Sequence, residues 1–425
     1  MRINRIKLEN IRCFEHLALD LISDSSPTPW TLILGDNGTG KSTLLRSIAL
    51  GLSSPKLAGA LFEDAKSTWL RTGTKRGLIR IEFDSGESIE ITIKLEKYGE
   101  TIARQKATPD DIVWDKIFIC GYGAGRSTFG SKSFERYSAR DSVSSLFDYD
   151  APLQNPELIL HRLSSSIADE GEILSWIDRV LMLPAGSTRL RMSGLEIRGP
   201  WGEYTPVGSL GDGYQATLAW ILDMLGWAMF RDHGMLNTGV EGIILLDEIE
   251  QHLHPVWQKR IIGVLHEQFP KVQFISTTHS PLCVIGTTDL KDEDVSLILL
   301  RQMESQVEAL DELSPPRGLR ADQVLTSYLF GLDTTSDNET KSQIERLSVL
   351  LSPDARHLAG TQREIEALRN SLKQKLGTAE TELERLVSNA MQEVLANSSK
   401  LSPIPQEAIN FEIRRQLKEL LSTDD

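Results

Sequence analysis

Hydrophobic and polar positions alternate with a period of two near the start of this chain, which predicts β-strands. The first two predicted strands run from Arg2 to Leu8 and from Ala18 to Leu21. The segments GLIRIEFDSG and ESIEITIKLEKYG alternate in the same way around a turn from Asp84 to Gly86, and they predict a β-hairpin. A second hairpin is predicted from Leu195 to Glu203, with GPWG at its turn.

Uninterrupted apolar runs predict strands that are buried on both faces. Ile243 to Leu246 form one such run, DKIFICGYGAGR contains a second that ends in glycines, and KVQFISTTHSP contains a third that ends at His279. Parallel strands of α/β sheets have this composition, and functional groups lie at their carboxyl ends. A helical pattern from about Asp150 to Pro184 completes a chain of the α/β class.

The stretch ILGDNGTGKSTLLRSIA fits the pattern G-x-x-x-x-G-K-[ST] between a predicted strand and a predicted helix. Gly35, Gly38 and Gly40 allow the backbone to turn successive N–H groups inward around a phosphate, which makes this loop a phosphate cradle. Lys41 is expected to reach the β- and γ-phosphates, and the Ser42 hydroxyl to bind Mg²⁺. The motif therefore predicts that the chain binds ATP and Mg²⁺.

Two acidic residues follow the apolar run of EGIILLDE. Asp247 is expected to hold the Mg²⁺ shell, and Glu248 to act as the base that activates the attacking water. His279 follows the next apolar strand, where it is expected to sense the γ-phosphate. The sequence thus contains residues expected to bind the phosphates of ATP and residues expected to hydrolyse it.

A second glycine-rich helix start lies in SLGDGYQATLAWILDML, where Gly211 to Gly213 precede a strongly apolar segment. The exposed N–H groups of such a helix start form a second anion site. Since one chain needs only one cradle for each nucleotide, the second site predicts that two chains share each nucleotide.

Composition restricts the class of protein. The chain has 425 residues, of which 40% are hydrophobic, and this suffices for an extensive core and for two domains or one large domain with an appendage. No apolar run approaches the roughly 20 residues that span a bilayer, so we expect a cytoplasmic protein without membrane contact. Cys13, Cys120 and Cys283 lie far apart and outside any C-x-x-C pair, which indicates neither a disulfide framework nor a zinc site.

The net charge is −14, from 46 basic and 60 acidic residues. An acidic chain repels nucleic acid on average, so nucleic acid is not an indicated partner, and a DNA contact would need a local patch or a partner. Arg189, Arg191 and Arg198 form one candidate patch in STRLRMSGLEIRG. Their alternation is also typical of a strand with a solvated face, which we favour.

The order of cradle, SLGDGYQ, LLDE, LHP and THSP resembles the ABC-type ATPases of the SMC-like and OLD-like branch, over roughly residues 1–310. The resemblance implies a head-to-tail homodimer in which each subunit gives its cradle to one nucleotide and its signature loop to the other. It assigns the following residues to ATP: Arg12, Gly35, Asp36, Asn37, Gly38, Thr39, Gly40, Lys41, Ser42, Thr43, Gly211, Asp212 and Gly213. It assigns Ser42 and Asp247 to Mg²⁺, Glu248 to the base and His279 to the switch histidine.

The chain departs from the family pattern at two places. The family usually has serine after the signature leucine, whereas here Gly211 follows Leu210 and Ser209 precedes it. The glutamine loop has no direct match, and Tyr122 to Arg126 occupy its expected place.

The length and content of the insert between cradle and signature, about residues 51–207, distinguish the branches of this family. Chromosome-organising and double-strand-repair ATPases carry long heptad arms there, and transporter ATPases a leaner insert. LLDEIEQHLHP and FPKVQFISTTHSP look similar to the stand-alone ATPases of bacterial antiphage defence, such as the Septu-type and retron-associated ones. The predicted architecture is a P-loop ABC-type ATPase head, residues 1–310, with a mixed β/α insert and a helical C-terminal appendage, residues 311–425.

Apolar positions in the appendage recur at steps of three and four, which predicts an amphipathic helix or a short coiled coil. They are Ile365, Leu368, Leu372, Leu376, Ala379, Leu383, Leu386 and Ala390. This stripe fits either core packing or contact with a second subunit or partner.

We expect an ATPase that acts as a nucleotide-controlled switch for a separate effector, a nuclease of the HNH, TOPRIM or a similar type. The effector is expected on another chain because the recognisable catalytic residues of this one all serve ATP. Two alternatives stay open: a DNA-repair ATPase that acts directly on nucleic acid, and an ATP-binding scaffold with little turnover.

Overall fold

The computed structural model describes residues 1–23, 26–65, 67–109, 114, 117–126, 141–166, 170–191, 194–199, 202–209, 211–230, 239–303, 306–351 and 361–375. The chain divides into two compact units, Met1–Gly331 and Leu332–Asp425. None of the described helices is long and apolar enough to cross a membrane.

The described strands all belong to the first unit. They are β1 (Ile3–Ile11), β2 (Phe14–Asp20), β3 (Ile22–Ser23), β4 (Ser26–Pro27), β5 (Trp30–Gly35), β6 (Arg76–Phe83), β7 (Ser88–Glu96), β8 (Gly99–Thr108), β9 (Ile119–Tyr122), β10 (Thr188–Arg191), β11 (Gly194–Arg198), β12 (Tyr204–Pro206), β13 (Gly242–Leu246), β14 (Val272–Thr277), β15 (Val295–Gln302) and β16 (Val307–Leu313).

The α-helices lie between the strands and after them. They are α1 (Lys41–Leu52), α2 (Pro55–Asp64), α3 (Asp141–Ser144), α4 (Pro156–Ser166), α5 (Glu170–Val180), α6 (Asp212–Phe230), α7 (Pro255–Gln268), α8 (Pro281–Gly286), α9 (Ala321–Leu325), α10 (Asn338–Leu351) and α11 (Thr361–Lys375). Single 3₁₀ turns form at Val207–Ser209, Thr287–Asp289 and Asp292–Asp294.

A six-stranded sheet with the order β16-β15-β5-β14-β13-β9 organises the first unit. All neighbouring pairs are parallel except β15 and β16, which run antiparallel. Because the carboxyl ends of parallel strands meet at one edge, the residues that follow β5, β13 and β14 are neighbours in space. The α/β class predicted from the apolar runs is confirmed.

A five-stranded antiparallel sheet with the order β2-β1-β6-β7-β8 covers one side of α1. The inward side chains of this sheet and of α1 share one core with Ile33 and Ile275 of the central sheet. The cradle helix is therefore enclosed between two sheets. The predicted hairpin around Asp84–Gly86 is the β6–β7 pair, and β8 extends it.

Helices α4 to α8 cover the other face of the central sheet, where Trp30, Leu32 and Leu34 of β5 enter a second core. From Ala216 to Ala228, α6 is buried on every side, since apolar residues surround it. The predicted hairpin from Leu195 to Glu203 is confirmed as the β11–β12 pair.

The first unit extends past residue 310, where the sequence places the end of the ATPase head. Strand β16 continues through that position, and Val324 and Leu329 belong to the second core. The functional division at residue 310 stays a prediction.

The described part of the second unit contains α10 and α11, which pack together. The Nε of Arg346 donates to Glu364 Oε1 at 2.9 Å, and the Ser371 hydroxyl donates to Gln343 Oε1 at 3.2 Å. Leu350 and Leu372 are buried. Leu376, Ala379, Leu383, Leu386 and Ala390 of the predicted apolar stripe lie outside the described residues.

Candidate nucleotide site

Glycine is needed at two positions of the loop between β5 and α1. Gly35 and Gly40 have φ values of 147° and 92°. A Cβ atom on Gly35 would lie 2.5 Å from the carbonyl oxygen of Leu300, and one on Gly40 would lie 2.4 Å from Cys13 Sγ. The loop therefore has the backbone shape that the sequence motif predicts, with Asp36, Asn37 and Gly38 exposed at its tip.

The Lys41 side chain folds over this loop. Its Nζ donates to the carbonyl oxygens of Gly35 at 2.8 Å and of Asp36 at 2.9 Å. Burial lowers the pKa of Lys41, and the carboxylates of Asp247, Glu248, Asp36 and Glu250 oppose this effect. The loop cation thus faces the acidic residues that follow β13.

Asp247 and Glu248 form a tight turn directly after β13. The Asp247 N–H donates to the Tyr122 carbonyl oxygen at 2.8 Å, and Glu248 adopts a left-handed conformation with φ of 50°. The Thr277 hydroxyl at the end of β14 donates to Asp247 Oδ1 at 2.6 Å and accepts from the Glu248 N–H at 2.8 Å. One buried hydroxyl therefore fixes both acidic residues.

Glu250 orders the segment that carries His279. Its Oε1 accepts from the His279 N–H at 2.6 Å, and its Oε2 accepts from the Thr278 hydroxyl at 2.7 Å. Strand β14 ends at Thr277, two residues before the predicted end at His279, because the Ser280 side chain caps α8. The sequence prediction of the acidic pair missed Glu250, although an acid two residues beyond Glu248 was visible.

Arg12 lies against the cradle helix. Its NH1 donates to Thr43 Oγ1 at 3.3 Å, its Nε donates to the Thr68 carbonyl oxygen at 2.9 Å, and its NH2 donates to the Ser67 hydroxyl. The guanidinium carbon lies 5.2 Å from the ring centroid of Trp69. The structure thus brings Arg12 beside the cradle, while its contact with a nucleotide stays a prediction.

The signature segment lies against a different part of the site. A Cβ atom on Gly213 would lie 2.4 Å from the His252 carbonyl oxygen, whereas one on Gly211 would meet no atom within 4 Å. The Gly211 carbonyl oxygen accepts from the Tyr214 N–H at 3.0 Å and from the Gln215 N–H at 3.4 Å, at the start of its own helix. Leu210 and the Asp212 side chain lie outside the described part of the chain.

The residues present fit a nucleotide with Mg²⁺. The open left-handed loop and the Lys41 ammonium supply N–H donors and positive charge for phosphates. Ser42 at the start of α1 and Asp247 supply oxygen atoms, which are the ligands that Mg²⁺ prefers.

The candidate DNA patch of the insert forms a small sheet. The Nε of Arg189 donates to Glu196 Oε2 at 2.6 Å across the β10–β11 pair, and its guanidinium carbon lies 3.8 Å from the Tyr204 ring centroid. Arg189 is thus paired within its own sheet, as the favoured strand interpretation predicts.

Two family models match the chain. A model described as "AAA domain" matches residues 5–179, and one described as "AAA domain, putative AbiEii toxin, Type IV TA system" matches residues 199–284. The matched ranges contain the cradle and the Asp247–Glu248 turn, respectively. Over both ranges the chain is similar to AAA domains.

Curated relatives have more specific names. The chain is 30% identical over 383 residues to Septu protein PtuA of Bacillus mycoides (strain KBAB4), which covers 88% of this chain and 51% of that protein. It is 37% identical over 97 residues to the Retron Vc95 probable ATPase of Vibrio cholerae, covering 21% of this chain and 18% of that protein. The resemblance to Septu-type and retron-associated ATPases is thereby confirmed. The chain spans about half the length of the Septu relative (51%).

Among solved structures, the SMC head domain from Thermotoga maritima aligns with 74% of this chain and 100% of its own, at 16% identity and a TM-score of 0.43.

Proposed function

We propose that this chain hydrolyses ATP and that its nucleotide state controls a separate effector protein in antiphage defence. The observation that carries the proposal is the position of Lys41 within the field of Asp247 and Glu248, at one edge of a parallel sheet. Mg²⁺-assisted phosphoryl transfer to water uses a cation at the phosphates, a carboxylate that holds the metal and a group that positions the water.

Each residue then has a distinct role. Bound ATP with Mg²⁺ would supply the phosphoanhydride bond that is cleaved. The N–H groups of the loop and Lys41 bind the phosphates, and Ser42 and Asp247 hold the metal. Glu248 accepts a proton from the attacking water, a role that contributes about 10² to 10⁴ in rate. His279, positioned through Glu250, faces the γ-phosphate.

The proposal includes a homodimer in which two chains share each nucleotide. Gly211 precedes α6 and Gly213 lies in its first turn, so their backbone N–H groups are available at a helix N-terminus. A helix N-terminus from a second copy would provide the missing donors for the γ-phosphate.

The proposal places the effector on a separate chain. Relatives are named after Septu and retron systems, and the catalytic residues assigned in this chain all serve ATP. We infer that a nuclease of the HNH, TOPRIM or a similar type is carried by another chain and responds to ATP binding and hydrolysis.

Two substitutions test the ATPase function. Lys41→Ala removes the cation that faces the phosphates, so ATP binding should be lost. Glu248→Gln keeps the shape of the side chain but removes the proton acceptor, so ATP should bind and stay intact, with hydrolysis reduced about 10²-fold or more. Nucleotide binding and phosphate release, measured on the same preparations, check both outcomes.

Glu241→Gln is the matched control because Glu241 is an exposed acid directly before β13, at the end remote from the cradle. This variant should hydrolyse ATP at the wild-type rate. Hydrolysis at the wild-type rate by Glu248→Gln would show that Glu248 is not the base.

A further inference from the structure

A buried arginine approaches the acidic turn from the segment after β9. Arg126 is only 3% exposed, and its guanidinium donates four hydrogen bonds to backbone carbonyl oxygens. NH1 donates to Asp247 at 2.6 Å and to Gly123 at 3.1 Å. NH2 donates to Glu248 at 2.7 Å and to Ile249 at 3.3 Å.

Three consecutive carbonyl groups, those of Asp247, Glu248 and Ile249, therefore converge on one guanidinium. They can do so because Glu248 has a φ of 50°, which reverses the chain after β13. A left-handed conformation is strained for a residue other than glycine, so surrounding contacts must hold it. Arg126 binds the carbonyl side of this turn, and Thr277 binds the N–H of Glu248 on the other side.

The charge of Arg126 also suits its position. Burial lowers the pKa of its guanidinium to about 10, and the carboxylates of Asp247, Glu250 and Glu248 oppose the effect. Arg126 therefore stays protonated at neutral pH. A planar group with fixed donors suits an array of carbonyl oxygens better than the single ammonium of lysine does.

We propose that Arg126 is a positioning residue for ATP hydrolysis, which fixes the backbone of Glu248 so that its carboxylate points at the attacking water. The proposal rests on the role of Glu248 as the base. It gives Arg126 no contact with ATP, so its loss should lower the rate of the chemical step without weakening the binding of ATP to the loop.

The test compares Arg126→Lys and Arg126→Gln with the wild-type full chain. Both variants should lower kcat about tenfold to a hundredfold, since a small misplacement of a catalytic group has effects of that size. The affinity for ATP should stay within about twofold, measured by equilibrium binding. If Arg126→Gln fails to fold, Arg126→Lys decides, because it keeps the buried charge but not the four hydrogen bonds.

Arg317→Gln is the matched control. Arg317 also donates to two backbone carbonyl oxygens, those of Thr288 at 2.5 Å and Leu290 at 2.7 Å. These two carbonyl groups lie in the segment after α8, not in the acidic turn. This variant should keep the wild-type kcat. A kcat within twofold of the wild type in both folded Arg126 variants, or an equal loss of kcat and ATP affinity, would overturn the proposal.

The double variant separates this proposal from the role of Glu248. In a Glu248→Gln background, Arg126→Lys should cause no further loss of hydrolysis, because the group that it positions is already absent. An additional loss of tenfold or more would show that Arg126 acts independently of Glu248. Full activity of Glu248→Gln alone would instead contradict the assignment of the base.

Discussion

At the scale of single residues, Asp223 is a buried carboxylate whose charge should change with pH near neutrality. It lies on α6 and is 2% exposed. Its Oδ2 accepts from the Tyr122 hydroxyl at 2.9 Å, and its Oδ1 accepts from the Gln154 N–H at 2.7 Å. Burial raises the pKa of Asp223 to about 7, although these hydrogen bonds oppose the effect.

This pKa predicts how stability changes with pH. An unfolded aspartate has a pKa near 4, so the folded chain binds the proton more tightly than the unfolded chain does. The contribution of Asp223 to the free energy of unfolding is therefore greatest below about pH 4, decreases between about pH 4 and pH 7, and is constant above. Asp223→Asn should weaken this decrease, as measured by denaturant unfolding between about pH 5 and pH 8.

Asp322→Asn is the control for the Asp223 experiment. A hydrogen bond from Arg320 lowers the pKa of Asp322, so its titration lies below the measured range. This substitution should leave the slope of stability against pH unchanged. A slope of wild-type size in Asp223→Asn would show that another group carries the pH dependence.

At the scale of elements, the start of α6 rests on the segment after the acidic turn. Gly213 lies against the His252 carbonyl oxygen, and the rings of Tyr214 and Trp257 pack edge to face with centroids 4.5 Å apart. A bulky residue at Gly213 would therefore displace the chain next to Glu248 in its own subunit. Gly211 has free space around it, so it is the better position for testing the sharing of nucleotides.

Gly211→Leu should abolish hydrolysis while ATP still binds to the loop, because the added side chain would block the γ-phosphate of the partner's nucleotide. Mixing this variant with Lys41→Ala should restore activity. In an equal mixture, half of the dimers pair the two variants and have one intact composite site, so about a quarter of the wild-type rate is expected. Phosphate release over a series of mixing ratios measures this recovery.

Each variant alone is the control for the mixing experiment and should show no hydrolysis. Gly213→Leu should fail differently, with a lower melting temperature, since it displaces the His252 backbone. The absence of recovery at every mixing ratio, with both variants folded, would argue against a shared nucleotide.

The elements of the central sheet were predictable because burial on both faces leaves continuous apolar runs such as Ile243–Leu246. The ends of strands were less predictable. Pairing extends β1 to Ile11 and begins β2 at Phe14, beyond the predicted Leu8 and Ala18, because these polar stretches still form the cross-strand ladder. Alternation reports burial of side chains, whereas the ladder depends on backbone groups.

The groups bound to the acidic turn were not predictable from local sequence. Thr277 reaches Asp247 because the parallel register pairs Leu246 with Ser276, and Arg126 reaches it because β9 lies on the other side of β13. Strand order and register depend on contacts between distant segments. The motifs predict which residues carry the chemistry, but the groups that orient them follow from the topology.

At the scale of the whole molecule, the chain has a net charge of −14, which disfavours unaided contact with nucleic acid. His252 and His254 flank Leu253 beside the acidic turn, and His254 caps α7 through a hydrogen bond from the Val256 N–H. The net charge is consistent with the proposal that a separate chain supplies the effector.

The proposed effector is a separate chain, so the protein alone should have no nuclease activity. Purified alone, the protein should hydrolyse ATP slowly and leave DNA and RNA uncut in the presence of Mg²⁺ or Mn²⁺. Co-expression with the product of the adjacent gene should give a stable complex whose nuclease activity differs between the wild type and Glu248→Gln, because the latter holds ATP intact. Lys41→Ala in the same complex controls for the state without nucleotide. Robust cleavage of nucleic acid by this chain alone, unchanged in Lys41→Ala, would contradict the proposal of a separate effector.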